Sequence, residues 1–186
     1  AKNERSEDLP EAMYRLAYAS FQLNQMPQAA KEFLAYHNQF PEHEYRQWSL
    51  AYLGYAQLQN KQAEEAIKSF QASIQEFQEG EMLEDAQFGL ARAFESTNRI
   101  DDAVTVYRRL ADNPTGLRNE QALLKLGNLY YDRQEYPEAA KEYTSLAQKF
   151  PRSELVATAR MNAGYAFYQA GDFAAAEPQF EAATKF

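Results

Sequence analysis

The sequence predicts an all-α protein in which one helix pair is repeated five times and the pairs stack into an α-α superhelix. Three observations lead to this prediction: small and aromatic residues recur at a fixed spacing, apolar residues within each unit have helical intervals, and turn-forming residues are few. Gly and Pro number only 7 each among 186 residues, whereas Tyr and Phe number 13 and 12. This composition favours helices joined by short connections.

Each unit contains a small residue, an alanine twelve positions later and an aromatic residue four positions after the alanine. The five sets are Ala17, Ala29 and Phe33; Gly54, Ala66 and Phe70; Ala91, Ala103 and Tyr107; Gly127, Ala139 and Tyr143; and Gly164, Ala176 and Phe180. The units follow one another at steps of 37, 37, 36 and 37 residues. Such a period indicates a repeat architecture, because a single helix pair cannot bury its apolar face and must stack on its neighbours.

The apolar residues within a unit have the periodicity of two amphipathic helices. The first helix of the second unit carries such residues at i, i+3, i+4 and i+8, namely Leu50, Leu53, Gly54 and Leu58. Pro27 and Pro137 open second helices, where proline is tolerated because a first-turn amide has no partner within the helix. We predict helices at 11–24, 27–39, 44–60, 63–77, 82–97, 100–112, 118–134, 137–149, 153–170 and 173–185.

These helices are predicted to form one solenoid domain over residues 1–186, with repeats at about 10–43, 44–80, 81–117, 118–152 and 153–186. The last predicted helix is largely apolar, whereas the end of a solenoid usually carries a polar capping helix. We therefore expect the sequence to be a piece of a longer chain. Pro178 lies about six residues into the last helix, too deep for its first turn, and is expected to kink or split it.

The small residue of each unit is predicted to lie where the two helices of the pair cross. Gly or Ala on the first helix, facing the alanine of the second, allows the axes to approach to about 8–10 Å. In the fourth unit this places Gly127 against Ala139, with Tyr143 filling the groove beside the crossing. A larger side chain at Gly127 is expected to hold the two helices apart.

The pattern of small residue, alanine and aromatic residue resembles the tetratricopeptide repeat over about residues 11–186. The residues of the fourth and fifth units that match the motif of that family are Gly127, Tyr130, Ala139, Tyr143 and Pro151, and Gly164, Phe167, Ala176, Phe180 and Ala183. The resemblance implies a right-handed solenoid whose first helices line a concave groove. It also implies a scaffold that holds another protein or a peptide.

The connections between units indicate which members of the family the chain resembles. The period exceeds the usual length of about 34 residues, and the surplus lies between a second helix and the next unit. QFPEH at 39–43 and KFPRS at 149–153 resemble the bacterial cell-envelope members of the family, which include the outer-membrane assembly lipoprotein subunit and the periplasmic coordinator of the Tol-Pal system. EFQEG at 76–80 and DNPTG at 112–116 depart from that form. The resemblance implies a periplasmic or envelope-associated protein, with a cytoplasmic location as the alternative.

The charge balance argues against several classes of partner. The 19 basic and 27 acidic residues give a net charge of −8, and no long basic run is present to neutralise nucleic-acid phosphates or to bind an anionic membrane surface. No apolar stretch approaches the roughly 18 residues that a membrane-spanning helix needs. The chain contains no cysteine, which excludes disulfides, thiolate metal sites and cysteine nucleophiles.

The sequence offers little material for catalysis. Its two histidines, His37 and His43, have no acid or thiol at metal-ligand spacing, so we expect two ordinary, partly exposed side chains. The carboxylate pairs at 64–65 and 101–102 fall in the first turns of second helices, where negative charge complements the helix dipole. Neither a phosphate-binding loop nor a nucleophile elbow occurs. We predict no enzymatic activity, no metal and no cofactor.

The predicted groove is lined by the residue after each small residue and by the residue three positions further on. With Trp48, this set comprises Tyr18, Phe21, Tyr55, Leu58, Arg92, Glu95, Asn128, Tyr131, Tyr165 and Tyr168. Tyr and Trp dominate binding hot spots, although these rings could instead pack against the neighbouring first helix. Arg92 and Glu95 form either a simple i,i+3 pair or a site that orients a polar part of the ligand.

Two functions follow from these patterns. The first is a binding module that takes a peptide or a partner protein in the aromatic groove. The second is a structural segment of a longer solenoid, in which flanking repeats cover its faces and uncapped terminal repeats allow self-association. The carboxylate clamp of chaperone-binding members is rejected, because Leu124 replaces its lysine although Asn128 and Asn162 fall at two clamp positions.

Overall fold

The computed structural model describes residues 4–80, 82–113 and 115–185, with side chains from residue 8 onward. All regular secondary structure in these residues is α-helical. The ten helices are α1 (Glu4–Gln22), α2 (Met26–Gln39), α3 (Arg46–Gln59), α4 (Ala63–Glu76), α5 (Leu83–Ser96), α6 (Ile100–Asp112), α7 (Asn119–Asp132), α8 (Tyr136–Lys149), α9 (Val156–Gln169) and α10 (Phe173–Ala183). The predicted all-α class is confirmed. Glu81 and Pro114, in the second and third connections, lie outside the described residues.

The predicted helix bounds are correct to within three residues except at the start of α1. That helix begins at Glu4 and continues through Pro10, whereas the sequence placed its start at residue 11. A proline inside a helix removes one backbone hydrogen bond but does not have to end the helix. Pro10 itself is half-buried.

The chain packs as two compact units, Ala1–Ala103 and Val104–Phe186. In the first unit each helix from α1 to α5 packs on the next, and α3 also contacts α5, the first helix of the following repeat. In the second unit α7 packs on α8, α8 on α9 and α9 on α10. Because the connections are short, successive helices run antiparallel.

The aromatic residue of the second helix lies directly over the small residue of the first. A Cβ atom built on Gly54 would come 2.8 Å from the ring of Phe70, and one built on Gly164 would come 2.6 Å from the ring of Phe180. Real Cβ atoms do not approach other atoms so closely. Glycine at these positions is therefore required by a ring packed flush against the backbone.

The same ring also contacts the next repeat within a unit. Gly89 of α5 lies against Phe70 so closely that a Cβ atom would overlap the ring. Phe70 is thus enclosed between glycines of two consecutive first helices. One repeat earlier, Tyr52 of α3 stacks on Phe33 of α2, with ring centroids 5.4 Å apart and planes 14° from parallel. In the first unit, Phe33 and Phe70 therefore each join their own helix pair to the first helix of the following pair.

This packing corrects the predicted contact in the fourth unit. The atoms nearest to a Cβ built on Gly127 all belong to the ring of Tyr143, not to Ala139. The ring was expected to fill a groove beside the crossing, but it lies in the crossing itself. The reason is its length: a tyrosine one turn beyond the alanine reaches back across the first helix, where only a glycine leaves room.

The turn inside each repeat has one conformation throughout. The residue seven positions after the small residue has a positive φ in every repeat: Asn24, Lys61, Asn98, Gln134 and Gly171, with φ of 60°, 62°, 58°, 62° and 81°. The following amide then bonds to the carbonyl five residues earlier, as from Gln25 to Ser20 at 2.9 Å. This is the Schellman arrangement, which satisfies the last carbonyls of the first helix.

Pro178 does not split the last helix. Residues Phe173–Ala183 form one helix that contains the proline, and the side chain of Asp172 caps it by accepting a hydrogen bond from the amide of Ala175 at 3.0 Å. Of the two predicted outcomes, the split is therefore wrong, and the kink stays a prediction. Ala174, whose carbonyl loses its partner, is exposed, so water can take that hydrogen bond.

Replacing Gly127 with alanine should destabilise the second unit by about 1–3 kcal/mol, because the ring of Tyr143 has no room to move. Helix propensity alone predicts the opposite sign, since alanine is favoured over glycine by about 1 kcal/mol. Urea denaturation of Gly127→Ala, Tyr143→Leu and the double variant checks this. If the two changes prove additive, the ring does not make the contact described here.

Candidate functional site

In the first unit, the predicted groove aromatics pack against aromatic residues outside the predicted set. Tyr18 and Phe21 are half-buried, with ring centroids 5.3 Å and 5.5 Å from that of Tyr52 in edge-to-face contacts. Trp48 lies against Tyr45, with centroids 5.6 Å apart. These rings belong to the apolar cluster that joins α1, α2 and α3.

Tyr55 is held by its own hydroxyl group. The hydroxyl donates a hydrogen bond of 2.6 Å to the backbone carbonyl of Asp85, and the ring stands edge-on to Phe70 with centroids 5.0 Å apart. A tyrosine fixed at both ends contributes to the packing of α3 on α5 and α4. Leu58 and Glu95 are half-buried and Arg92 is exposed.

In the second unit, the structure brings three of the predicted groove residues together in a pocket of about 360 Å³. The pocket lies between α7 and α9 over the second helix α8. Its lining residues are Asn128, Tyr131, Asp132, Tyr143, Asn162 and Tyr165. Sequence analysis selected Asn128, Tyr131 and Tyr165 as groove residues, but it assigned no binding role to the other three.

The floor of this pocket is the hydroxyl group of Tyr143, which donates a hydrogen bond of 2.7 Å to the side-chain oxygen of Asn128. Burial, together with the nearby carboxylate of Asp132, raises the pKa of Tyr143 well above its usual range, and a side-chain hydrogen bond with Asn162 opposes this rise. The phenol is therefore neutral at physiological pH, with one asparagine on each side of it.

Two tyrosines form the walls. Tyr131 stands edge-on to Tyr136, with centroids 5.2 Å apart, and Tyr165 stands edge-on to Phe180 at the same distance. These contacts hold the rings in place, yet Tyr165 remains 51% exposed. Large, fixed and accessible aromatic rings are typical of binding hot spots.

Tyr168, the remaining predicted groove residue, lies outside the pocket. It is 55% exposed and contacts Phe173, with ring centroids 5.0 Å apart. Both residues line a second, largely apolar cavity of about 520 Å³ on α9 and α10, which Phe180 completes.

The first unit contains a buried polar cluster that sequence analysis missed. His37 is only 8% exposed, not partly exposed as predicted, and its Nδ1 lies 2.9 Å from the hydroxyl oxygen of Ser49. Arg46 approaches Nε2 at 3.1 Å, and Glu76, at the end of α4, lies 3.4 Å from the same nitrogen. Arg46 and Glu76 also form an ion pair. Glu76 lies 39 residues after His37 in the sequence. The spacing of residues around His37 could therefore not predict this contact.

Arg108, which is half-buried, and Glu142, which is buried, form an ion pair between α6 and α8 in the second unit. Two parallel hydrogen bonds of 2.9 Å and 2.7 Å join the guanidinium to a carboxylate that is only 3% exposed. Bidentate pairing compensates for the loss of hydration. The pair links the consecutive second helices α6 and α8.

The described residues contain no group of three or more His, Asp or Glu side chains that could hold a metal ion. Within the same residues, every helix is too short or too polar to cross a lipid bilayer. The paired carboxylates Glu64 and Glu65, and Asp101 and Asp102, lie in the first turns of α4 and α6, as predicted.

Comparison with known sequences agrees with the repeat pattern. A family model described as tetratricopeptide repeat matches residues 53–117 and 124–186. A second model with the same description matches residues 11–43. No curated protein sequence matches the chain.

Solved structures show the same fold. A tetratricopeptide repeat protein from Parabacteroides merdae is 18% identical, with a TM-score of 0.75 over 95% of this chain and 66% of that protein. A MamA protein is 17% identical, with a TM-score of 0.74 over 96% of this chain and 92% of the other. The apo form of RapI is 12% identical, with a TM-score of 0.79 over 94% and 68%. The chain thus spans about two thirds of the Parabacteroides and RapI proteins.

The buried histidine predicts a loss of stability in mild acid. Burial and the charge of Arg46 lower the pKa of His37 below the ordinary value of 6.5, and a backbone hydrogen bond with Arg46 opposes this only in part. The unfolded chain therefore binds a proton first, so the stability that neutral His37 provides is present above about pH 6.5 and is lost as the pH falls below it.

Urea denaturation at pH 7.5 and pH 5.5 measures this effect. The difference between the two midpoints should shrink in His37→Gln, which cannot titrate, and persist in the control variant His43→Gln. An unchanged difference in His37→Gln would show that other groups cause the pH dependence.

Proposed function

Because the chain belongs to the tetratricopeptide repeat family, we propose that it is a non-enzymatic scaffold that binds an extended peptide segment of a partner protein along its first helices. The observation that supports this most directly is the pocket between α7 and α9. It combines amide groups that can pair with a peptide backbone and accessible aromatic walls that can pack on side chains.

Asn128 and Asn162 supply the polar contacts of this proposal. Each side-chain amide carries both donors and an acceptor, which match the N–H and C=O groups of an extended backbone. The hydrogen bond from the Tyr143 hydroxyl holds Asn128 in place before a ligand arrives. Preorganised side chains lose less conformational entropy on binding.

Tyr131, Tyr165 and Tyr168 are the proposed apolar anchors. Truncating a central aromatic anchor typically costs about 2 kcal/mol or more, which is roughly a thirty-fold loss of affinity. Tyr18, Phe21, Trp48 and Tyr55 contribute less under this proposal, because their rings already pack within the first unit. The same proposal assigns no catalytic residue and no cofactor.

An envelope or periplasmic location is part of the proposal and is supported by the connections. Phe40–Tyr45 and Phe150–Leu155 both follow a second helix with a Phe-Pro pair and turn in the same way. In each, the amide three residues after the phenylalanine bonds back to its carbonyl, from His43 at 3.3 Å and from Ser153 at 3.0 Å. The sequence resemblance to envelope members rests on these two segments.

Peptides selected from a random library on the immobilised chain test the proposal. Their affinity should fall about tenfold or more in Tyr165→Ala and in Tyr131→Ala. Leu34→Ala, which truncates a comparably exposed apolar side chain on α2, is the matched control and should bind as the wild type does. Selected peptides that bind all three variants equally would place recognition outside the pocket.

A second candidate is a structural role in which the end repeats stack on repeats of another copy. Leu16 on α1 is 56% exposed. The residues at the same place in the other repeats are buried: Leu53, Leu90, Leu126 and Ala163. The aromatic residue of α10 and its neighbours correspond to residues that the internal repeats bury. On α10 these residues, together with Phe173, line the apolar cavity. The exposed surfaces of α1 and α10 thus resemble in composition the two surfaces that meet between consecutive repeats within the chain. A second copy could therefore bind head to tail.

Sedimentation velocity over a range of protein concentrations tests this second candidate. The wild type should associate reversibly into dimers and longer oligomers, because a head-to-tail contact leaves one free face at each end. Leu16→Gln should weaken this association at least tenfold, while Leu34→Gln leaves it unchanged. A chain that stays monomeric at hundreds of micromolar would contradict the head-to-tail contact and leave the peptide-binding proposal intact.

A further inference from the structure

We propose that the pocket between α7 and α9 binds a positively charged side chain, arginine or lysine, of the peptide that the scaffold holds. The inference rests on the proposed peptide-binding function and specifies its ligand. Three features of the pocket support it: its charge, its walls and its floor.

Asp132 is the one charged group among the residues that line the pocket. Its side chain is exposed, and it has no ion-pair partner in the part of the chain that the structure describes. Asp132 is also the last residue of α7, where the helix dipole disfavours negative charge. The fold stabilises a carboxylate little in this position. A bound cation would neutralise the carboxylate and would also interact favourably with the negative end of the helix dipole.

The two tyrosines that form the walls also favour the binding of a cation. Tyr131 and Tyr165 are each held edge-on by a neighbouring ring. Their remaining surfaces line the pocket, and the face of an aromatic ring attracts an ammonium or guanidinium group. The aliphatic stem of arginine or lysine can cover the rings while its charged end reaches Asp132.

The floor adds neutral hydrogen-bond acceptors. Tyr143 donates its proton to Asn128, and Asn162 supports the hydroxyl from the other side. When Asn162 uses its amide N–H for that bond, its side-chain oxygen is available to accept from an ammonium or guanidinium donor. No cationic side chain lines the pocket, so nothing there competes with the ligand.

Other side chains fit this pocket less well. A glutamate or aspartate would be repelled by Asp132. A leucine or phenylalanine would cover two asparagines and a carboxylate without replacing their hydrogen bonds to water, which is costly. The net charge of −8 further favours a basic partner.

The test uses four blocked amino acids, the N-acetyl methylamides of arginine, lysine, glutamine and glutamate, titrated into ¹⁵N-labelled protein. The side-chain amide signals of Asn128 and Asn162 report on the pocket directly. Arginine or lysine should shift these signals at concentrations at least tenfold lower than glutamine does. The relative affinities of arginine and lysine show whether a planar guanidinium or a point charge fits better.

Two variants make the test specific. Asp132→Asn keeps the shape of the side chain and should abolish the preference for arginine and lysine over glutamine. Glu154→Gln removes the same charge from an exposed position outside the pocket and should retain the preference. Thermal denaturation of Asp132→Asn establishes that it folds, which is expected because the change removes an unfavourable charge at a helix end.

Three results would overturn the inference. Glutamine might shift the asparagine signals as effectively as arginine and lysine, or the preference might survive in Asp132→Asn. Library-selected peptides whose binding depends on Tyr165 might also lack basic residues. The last result would leave the peptide-binding function standing and remove only the charge specificity, whereas peptides indifferent to both Tyr165→Ala and Tyr131→Ala would place peptide recognition outside the pocket.

Discussion

In the second, fourth and fifth repeats, the contact between an aromatic ring and a glycine backbone is the constraint on which the packing of the helix pair depends. Phe70, Tyr143 and Phe180 each press against the glycine of their own first helix. In the first unit the ring also packs against the next first helix, through Gly89 or Tyr52. One side chain therefore sets both the angle within a helix pair and the distance to the following pair, so neither can change without the other.

The candidate site is an extension of that packing into the groove. The ring of Tyr143 fills the helix crossing over Gly127, while its hydroxyl emerges between Asn128 and Asn162. A core residue thus positions the side chains that are available to a ligand. The arrangement explains why the second unit has a formed pocket, whereas in the second repeat Phe70, which has no hydroxyl, cannot hold a polar side chain in the same way.

Much of this architecture could be predicted from sequence because its determinants are local and repeated. The helix bounds follow from apolar periodicity, and the small residues from their spacing. What could not be predicted depends on contacts between distant residues. Glu76 reaches His37 from another helix, and Tyr143 rather than Ala139 lies over Gly127. Pro178 was expected to kink or split α10, but the helix continues through it, and the carbonyl that loses its partner belongs to the exposed residue Ala174.

The left-handed residue in every intra-repeat turn has a consequence for how such a chain can change in length. Four of the five positions are occupied by residues with a side chain, and all adopt nearly the same φ. The turn is therefore determined by its backbone hydrogen bonds and not by one residue type. A duplicated or deleted stretch that begins at one of these turns and ends at the next would rejoin identical backbone conformations. Whole units can thus be gained or lost without a new loop, and a binding surface can be lengthened in steps of one repeat.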